Sequence, residues 1–250
     1  MRSLNFIGGE KGGVGKSVVA RALAQYYIDK GRPFTGFDTD RSHTTFARFY
    51  ADYAAPVVVD RYEGLDQIAL PFEDAPEEGA GHSVIVDLAA QTAAPLARWI
   101  RDSDLLGLLD ELGVQVNFWH LADAGKDSVA LLGGLLETYG EGPNYVEEKN
   151  HGRGTDYSQL EASVINLGGG WYSPLPLAPT LWAAAQALGA RVISLPELHE
   201  ASMRKIDRQD ASFWAAINQR GGDDALGMLE RQRVKSWLKT VYAAFDGLAV

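Results

Sequence analysis

The sequence contains no cysteine in 250 residues. This absence excludes disulfides, thiolate catalysis, and zinc or iron–sulfur centres held by cysteine. The five histidines lack metal-ligand spacing with acidic neighbours, so we expect them at ordinary surface or core positions. Chemistry in this chain therefore depends on hydroxyl, carboxylate, amide and amine groups.

Long apolar runs are also missing. No stretch approaches the roughly 18–20 apolar residues that a membrane-spanning helix needs. The chain enters a strand-like run at residues 4–7 without a basic leader, so we expect no signal peptide and a cytoplasmic location. Hydrophobic residues nevertheless make up 46% of the sequence, which is enough for the core of a globular protein.

Basic charge is scarce, because the formal net charge is −10. This balance argues against a protein that coats nucleic acid through bulk charge. The acidity is concentrated in the middle of the chain, and residues 200–250 are close to neutral. The composition therefore does not exclude a local basic surface near the C-terminus.

Short apolar runs alternate with segments of helical periodicity along most of the chain. The predicted strands are 4–7, 33–37, 57–59, 83–86, 114–121, 145–150, 164–167 and 191–195. The predicted helices are 17–31, 95–112, 126–139 and essentially all of the last 50 residues. This alternation predicts an α/β fold in one domain, 1–250, with a mostly parallel sheet covered on both faces. The segments 73–81 and 168–179 are predicted to be the least ordered.

The strongest motif is the glycine-rich segment from Gly9 to Ser17, Gly-Glu-Lys-Gly-Gly-Val-Gly-Lys-Ser. A loop that binds polyphosphate turns its backbone N–H groups inward, and glycine permits the necessary backbone angles. The helix that begins near Lys16 adds its positive dipole end. Lys16 would then reach the β- and γ-phosphates, and the Ser17 hydroxyl would bind Mg²⁺.

Aspartates follow two of the predicted strands. Asp38 and Asp40 come at the end of the second strand, where open α/β sheets place ligand-binding groups. Asp87 ends the apolar run 83–86, as a carboxylate that binds Mg²⁺ through water does in P-loop proteins. The alternatives are a solvated strand end for the first pair and a helix cap for Asp87.

The segment Lys11-Gly12-Gly13-Val14-Gly15-Lys16-Ser17 resembles the deviant Walker A box of the ParA/MinD superfamily of P-loop ATPases. Glu10 departs from the strict pattern, which has glycine there, but many members of the superfamily lack that glycine. The resemblance is firm over the first 90 residues and looser as far as Asn150. It implies a three-layer P-loop NTPase fold, in a short-form member of the partition or mobilisation type.

The resemblance also implies roles for individual residues. Lys11 matches the signature lysine that reaches the partner's nucleotide in an ATP-bound dimer. Asp38 would lie near the water shell of the metal, and Asp40 would position the attacking water. Asn150 would read the adenine edge, and Pro196 would pack beside the base.

The cofactors implied are ATP and Mg²⁺. The expected metal ligands are Ser17, Asp38 and Asp87, and the expected catalytic residues are Lys11, Lys16 and Asp40. The expected nucleotide contacts are Glu10, Lys11, Gly12, Gly13, Val14, Gly15, Lys16, Ser17, Val18, Asn150 and Pro196. A GTP-type Asn-Lys-x-Asp sequence is absent, which favours ATP over GTP.

The function implied by the resemblance is a slowly hydrolysing, ATP-dependent homodimer. Its ATP and ADP states would change its affinity for a surface and for a small adaptor or activator protein. Nonspecific binding to plasmid or mobile-element DNA, in partition or conjugative mobilisation, is the expected use. Two alternatives are a MinD-like protein positioned at a membrane or cell pole, and an ATP-dependent synthetase on the same fold. No acid/base set for a synthetase is recognisable.

The C-terminal segment has an apolar stripe at helical spacing, with basic residues elsewhere around the helix. The stripe is Val234, Trp237, Leu238, Val241, Tyr242 and Phe245, and the basic residues are Arg233, Lys235 and Lys239. Three interpretations remain: a core helix, a DNA-binding helix and a membrane-surface helix.

Overall fold

The computed structural model describes residues 2–8, 12–73, 81–122, 126–150, 181–222 and 224–248. Seven strands in these ranges form one sheet in the order β3-β2-β4-β1-β5-β6-β7, and every paired neighbour is parallel. The strands are β1 (Arg2–Gly8), β2 (Phe34–Asp38), β3 (Ala54–Pro56), β4 (Ser83–Asp87), β5 (Val114–Ala122), β6 (Asn144–Asn150) and β7 (Arg191–Leu195). The predicted α/β fold with a parallel sheet is confirmed.

Helices connect the strands and cover the sheet. In the described part of the chain they are α1 (Lys16–Asp29), α2 (Thr45–Phe49), α3 (Tyr62–Asp66), α4 (Ala93–Asp102), α5 (Leu105–Glu111), α6 (Lys126–Tyr139), α7 (Leu181–Ala187), α8 (Glu200–Arg208), α9 (Phe213–Asn218) and α10 (Met228–Leu248). None of them is long and apolar enough to cross a bilayer.

The sheet has a hydrophobic core on each face. Ile7 of β1 belongs to the core beneath α1 and α10, whereas Leu4 and Phe6 belong to the core beneath α4, α5 and α6. Successive side chains of a strand point to opposite faces, so a strand covered on both sides needs a continuous apolar run. This requirement explains the uninterrupted apolar run of β4 and the run 4–7 of β1, in which only the buried Asn5 is polar.

A buried arginine fixes α1 against the helices around it. The Arg21 guanidinium pairs with Asp207 of α8, with Nη1 2.9 Å from Oδ1. The same guanidinium carbon lies 3.6 Å from the ring centroid of Phe49 in α2. Because α1 begins at Lys16, these contacts also hold the start of that helix in place.

Several predicted elements are confirmed, and three predictions are wrong: the strand at 57–59, the single helix at 95–112 and the continuous helical structure of the last 50 residues. The strand predicted at 57–59 lies instead at Ala54–Pro56, because its partner β2 ends at Asp38, opposite Pro56. The single helix predicted at 95–112 is two helices, which are separated at Asp104, a residue with a left-handed φ of 46°.

The C-terminal 50 residues are not helical throughout. Three helices, α8, α9 and α10, are separated by non-helical turns, and the Ser212 hydroxyl begins α9 by accepting a hydrogen bond from the Ala215 amide. The predicted strand 164–167, the segment 168–179 and most of 73–81 lie outside the described residues.

The apolar stripe of α10 faces the core. Val234, Trp237, Leu238, Val241 and Phe245 are buried, and Tyr242 is partly buried. The core-helix interpretation is therefore confirmed. The basic side chains Arg233, Lys235 and Lys239 are exposed on the outer side of the helix.

Candidate functional site

The carboxyl ends of β1, β4 and β2 meet at one edge of the sheet. In the strand register, Asp87 is opposite both Ile7 and Asp38. The glycine-rich segment leaves β1 at this edge and enters α1 through Gly15, whose φ of 106° lies in the left-handed region that favours glycine. The fold therefore brings the loop and both aspartate-bearing strand ends together.

Lys16 is the first residue of α1 and is only 9% exposed. Burial lowers the pKa of its ammonium group, whereas attraction to Asp87 and Asp40 opposes that change. A buried cation at a helix N-terminus attracts anionic ligands, whereas the two carboxylates beside it offset part of that charge.

Asp87 lies directly behind the loop and is 3% exposed. Burial raises the pKa of its carboxyl group to about 7, although a hydrogen bond from the Ser17 hydroxyl and attraction to Lys16 act in the opposite direction. Nearby Asp38 and Asp40 raise that pKa further. Among the described residues, the carboxyl groups of Asp38, Asp40 and Asp87 thus lie near one another and near Lys16.

This oxygen-rich cluster fits a divalent cation. Mg²⁺ prefers carboxylate, hydroxyl and water oxygens, and it usually binds through one or two carboxylates and retained waters. The hydrogen bond between Ser17 and Asp87 already joins two of the three expected metal ligands. These oxygens are of the kind that magnesium binds, but no three acidic or histidine side chains of the described residues are grouped so that they could hold a metal ion directly.

Asp38, the third expected ligand, holds the loop that follows β2. Its Oδ1 accepts a hydrogen bond from the Asp40 amide at 2.9 Å, and its Oδ2 accepts one from the Ala47 amide at 3.1 Å. Burial raises the pKa of its carboxyl group against these hydrogen bonds. Both oxygens are thus engaged with the backbone, which favours a contact with a metal through water over a direct one.

Asp40 points toward a more open part of the site. Its Oδ1 accepts hydrogen bonds from the Ser42 and His43 amides, at 2.8 and 3.1 Å. Although partial burial acts in the opposite direction, these two hydrogen bonds and His43 lower the pKa of the Asp40 carboxyl group. The group is therefore an ionised acceptor beside Lys16 at neutral pH.

Thr39 joins the loops that follow β2 and β4, a role that was not predicted from the sequence. Its amide and its Oγ1 both donate to the Asp87 carbonyl, at 3.0 and 3.1 Å. Its Oγ1 also accepts a hydrogen bond from the Ala89 amide at 2.7 Å. The only sequence signal for it is a threonine between two aspartates at a strand end.

A second part of the site is a cavity of about 370 Å³ beside the first turns of α1. Its wall includes Gly15, Val18 and Pro196, which were predicted to contact nucleotide. The indole Nε1 of Trp237 donates to the Pro196 carbonyl at 2.6 Å, so α10 holds the segment after β7 in place. Gly15 of the glycine-rich segment and Pro196, the predicted base contact, thus line the same cavity.

Several residues that were predicted to contact nucleotide lie wholly or partly outside the described part of the chain. Gly9, Glu10 and Lys11 lie outside the described residues. Asn150 ends β6 opposite Leu195, close to the cavity, but its side chain is also outside the described part. Gly12 and Gly13 form the exposed turn of the loop, and Val14 is buried beneath it.

Comparison with known proteins gives relatives of low identity. No protein-family model matches the chain. A protein named TraL from Escherichia coli is 22% identical over 258 aligned positions, which cover 96% of this chain and 95% of that protein. The ATPase GET3C of Arabidopsis thaliana is 26% identical over 215 positions, which cover 84% of this chain but 46% of GET3C.

Solved structures agree on the fold. The MinD cell division protein of Aquifex aeolicus has a TM-score of 0.50 and 13% identity, with 96% of this chain and 97% of MinD covered. MinD in the MinC:MinD complex of the same organism also has a TM-score of 0.50, at 11% identity, with 96% of each chain covered. The three-layer P-loop NTPase fold of MinD is therefore the fold of this chain. Together with the sequence relatives, this fold agrees with the resemblance of the chain to the ParA/MinD superfamily of P-loop ATPases.

Proposed function

We propose that residues 1–250 form a single ATPase domain that binds ATP with Mg²⁺, hydrolyses it slowly and uses the ATP and ADP states as a switch. The observation that carries this proposal is the contact between the Ser17 hydroxyl and the buried Asp87 carboxylate, next to Lys16. This arrangement combines a phosphate-binding lysine with a pair of metal ligands at the N-terminus of one helix.

The phosphate groups lie against the loop in this proposal. The backbone amides of the loop and of the first turn of α1 donate to phosphate oxygens. Lys16 is already buried at the start of α1, so little side-chain freedom is lost when it contacts the β- and γ-phosphates. Val18 and Pro196 are placed to contact the rest of the nucleotide.

Ser17 would hold Mg²⁺ through its hydroxyl, and Asp87 and Asp38 would hold it through water. When bound, the metal supplies positive charge that offsets the charge developing on the γ-phosphate. Asp40 accepts a hydrogen bond from the attacking water and so orients it. Lys11 adds a second positive charge from the partner subunit's loop. Charge neutralisation by fixed groups is the main source of rate enhancement in such a site.

Isothermal titration calorimetry with ATP and magnesium tests this proposal. We expect Lys16→Ala to weaken ATP binding by about 100-fold or more, because a buried charge-assisted contact is lost. Lys30→Ala is the matched control, since Lys30 follows the other end of α1 and is partly exposed. Retained affinity in Lys16→Ala would remove Lys16 from the site and overturn the proposal.

The proposed cargo is DNA of a plasmid or mobile element, bound without sequence preference. Support comes from α10, whose apolar face is buried while Arg233, Lys235 and Lys239 remain exposed. Exposed basic side chains along one helix suit contacts to phosphate groups. The MinC:MinD complex supports an adaptor protein as a second partner, by analogy of fold.

Co-sedimentation with plasmid DNA and with anionic liposomes, in the presence of ATP or ADP, distinguishes DNA binding from membrane binding. We expect ATP-dependent binding to DNA that weakens with salt and with charge reversal at Lys235 and Lys239. Reversal of Arg101, an exposed residue of α4 on the opposite face of the sheet from α10, serves as the control. Binding to liposomes alone would reject DNA and favour the MinD-like alternative.

A further inference from the structure

Glu148 of β6 is a buried carboxyl group without a structural partner in the described part of the chain. Its exposure is 0%, and neither carboxyl oxygen has a hydrogen-bond partner there. The strand register places it between Leu121 of β5 and Ile193 of β7, which offer only backbone and apolar groups. Proteins rarely leave a buried polar group unpaired, because its lost hydration is not replaced.

The same side chain lines the cavity beside α1. Gly15, which leads from the phosphate-binding loop into that helix, is part of the cavity wall, as are Val18 and Pro196. The ring of a nucleotide whose phosphates lie on the loop would therefore reach this cavity. Its volume of about 370 Å³ and its apolar walls, formed by residues such as Leu198 and Met203, suit a flat aromatic ring.

The charges around the cavity restrict its occupant. Among the described residues that line it, the ionisable ones are Glu148, Glu197 and Glu200, and none is basic. Anionic ligands are therefore disfavoured at this end of the site, and a ring that carries hydrogen-bond donors is favoured. Burial raises the pKa of Glu148 to about 8, so at neutral pH its carboxyl group is mostly protonated, with one donor and one acceptor.

We propose that Glu148 is a specificity-determining residue that recognises the amino edge of adenine, accepting a hydrogen bond from the 6-amino group and donating one to N1. This inference rests on the proposed function, because the triphosphate must lie on the loop for the ring to enter the cavity. Adenine presents a donor beside an acceptor on this edge, which complements a neutral carboxyl group. Guanine also presents an acceptor beside a donor, O6 and N1–H, so the role of Glu148 is tested through the 6-amino group of adenine. The resemblance gives the adenine edge to Asn150 as well, and the side chain of that residue lies outside the described part of the chain.

The test compares ATP with purine riboside triphosphate, which lacks the 6-amino group. Affinities are measured by calorimetry with magnesium for the wild type, Glu148→Gln and Glu148→Leu. We expect the wild type to prefer ATP by about tenfold or more, because the analogue leaves a buried polar group unpaired. Glu148→Gln should keep that preference, since an amide also carries a donor and an acceptor. Glu148→Leu should lose it while still binding the analogue.

The matched control is Glu197→Gln, an exposed glutamate of the same cavity, which should leave the preference unchanged. Thermal unfolding of each variant establishes that it is folded. Equal wild-type affinity for both triphosphates, a preference for GTP, or an unchanged preference in Glu148→Leu would overturn the role of Glu148 and leave the ATPase proposal standing. Failure of the wild type to bind any triphosphate would overturn both.

Discussion

At the scale of single residues, the buried carboxyl group of Asp87, a proposed metal ligand, lowers the stability of the folded chain. Its carboxyl group has a pKa of about 7 in the folded protein, against an ordinary value of 3.8. The folded state therefore holds this proton more tightly than the unfolded chain does. Stability without ligands consequently falls as the pH rises from about 4 to about 7, and the loss is complete above that window.

Asp87→Asn should remove this pH-dependent loss. We expect the variant to gain about 2 kcal/mol more, relative to the wild type, at pH 8 than at pH 5, because asparagine has no proton to lose. Urea unfolding without nucleotide or metal at the two pH values measures the difference. Asp52→Asn, at an exposed position, is the control. An equal gain at both pH values would show that the Asp87 carboxyl group is not perturbed in this way.

At the scale of elements, the loops after β2 and β4 act as one unit because Thr39 joins them. Its hydroxyl contacts the Asp87 carbonyl and the Ala89 amide, and Asp40 follows it directly. Gln91, in the segment after β4, has a left-handed φ of 70°, a conformation that costs energy outside glycine. The segment after β4 thus contains a strained backbone position two residues after Ala89.

Thr39→Val keeps the shape of the side chain but removes the hydroxyl group. We expect ATP affinity to change by less than about threefold while turnover falls by about tenfold, because Asp40 loses its fixed position relative to Asp87. Thr39→Ser should restore turnover, since it keeps the hydroxyl. Steady-state phosphate release, measured beside ATP affinity, gives both quantities. Normal turnover in Thr39→Val would exclude this coupling.

The C-terminal helix α10 is connected to the cavity beside α1 through Trp237. Trp237→Phe deletes the hydrogen bond to the Pro196 carbonyl but keeps an aromatic ring in the core. We expect ATP to bind about fivefold more weakly, whereas pyrophosphate binding stays unchanged, because only the base end of the site is loosened. Trp214→Phe, at a tryptophan that is 54% exposed, should affect neither ligand. Equal weakening of both ligands would instead indicate a general loss of structure.

At the scale of the whole molecule, the net charge of −10 opposes self-association. Two copies would need a local source of attraction, and in the proposed dimer this is the ATP bound between them together with Lys11 of each loop. In this proposal ATP acts as the link between subunits, and its hydrolysis removes that link.

Size-exclusion chromatography with light scattering tests this dimer under ATP, ADP and no nucleotide. We expect dimers with ATP alone, a persistent ATP dimer in Asp40→Ala because hydrolysis is blocked, and mostly monomers in Lys11→Ala. The dimer association constant of Lys11→Ala should fall by about tenfold or more, because each of the two subunits loses a charge-assisted contact. Lys30→Ala is again the control. Normal ATP-dependent dimers with normal turnover in Lys11→Ala would reject the signature-lysine role.

The sequence by itself determined the features that depend on neighbours along the chain. The glycine-rich segment before α1, the start of α1 at Lys16 and the strand ending at Asp87 are local patterns of glycine, apolar runs and polar ends. The helix Lys126–Tyr139 was predicted at its observed bounds for the same reason. Backbone preferences and side-chain periodicity act over a few residues, so they can be read directly.

The tertiary structure alone decided which distant residues meet. The place of β3 depends on where β2 ends, and the short helix α2 is fixed by the Asp38 carboxylate; neither was predicted. Glu148 lies in a strand that was predicted, but its burial beside Gly15 depends on how β6 and α1 are packed. Contacts of this kind form only when the strands pair and the helices cover the sheet, because they join parts of the chain that carry no local signal for one another.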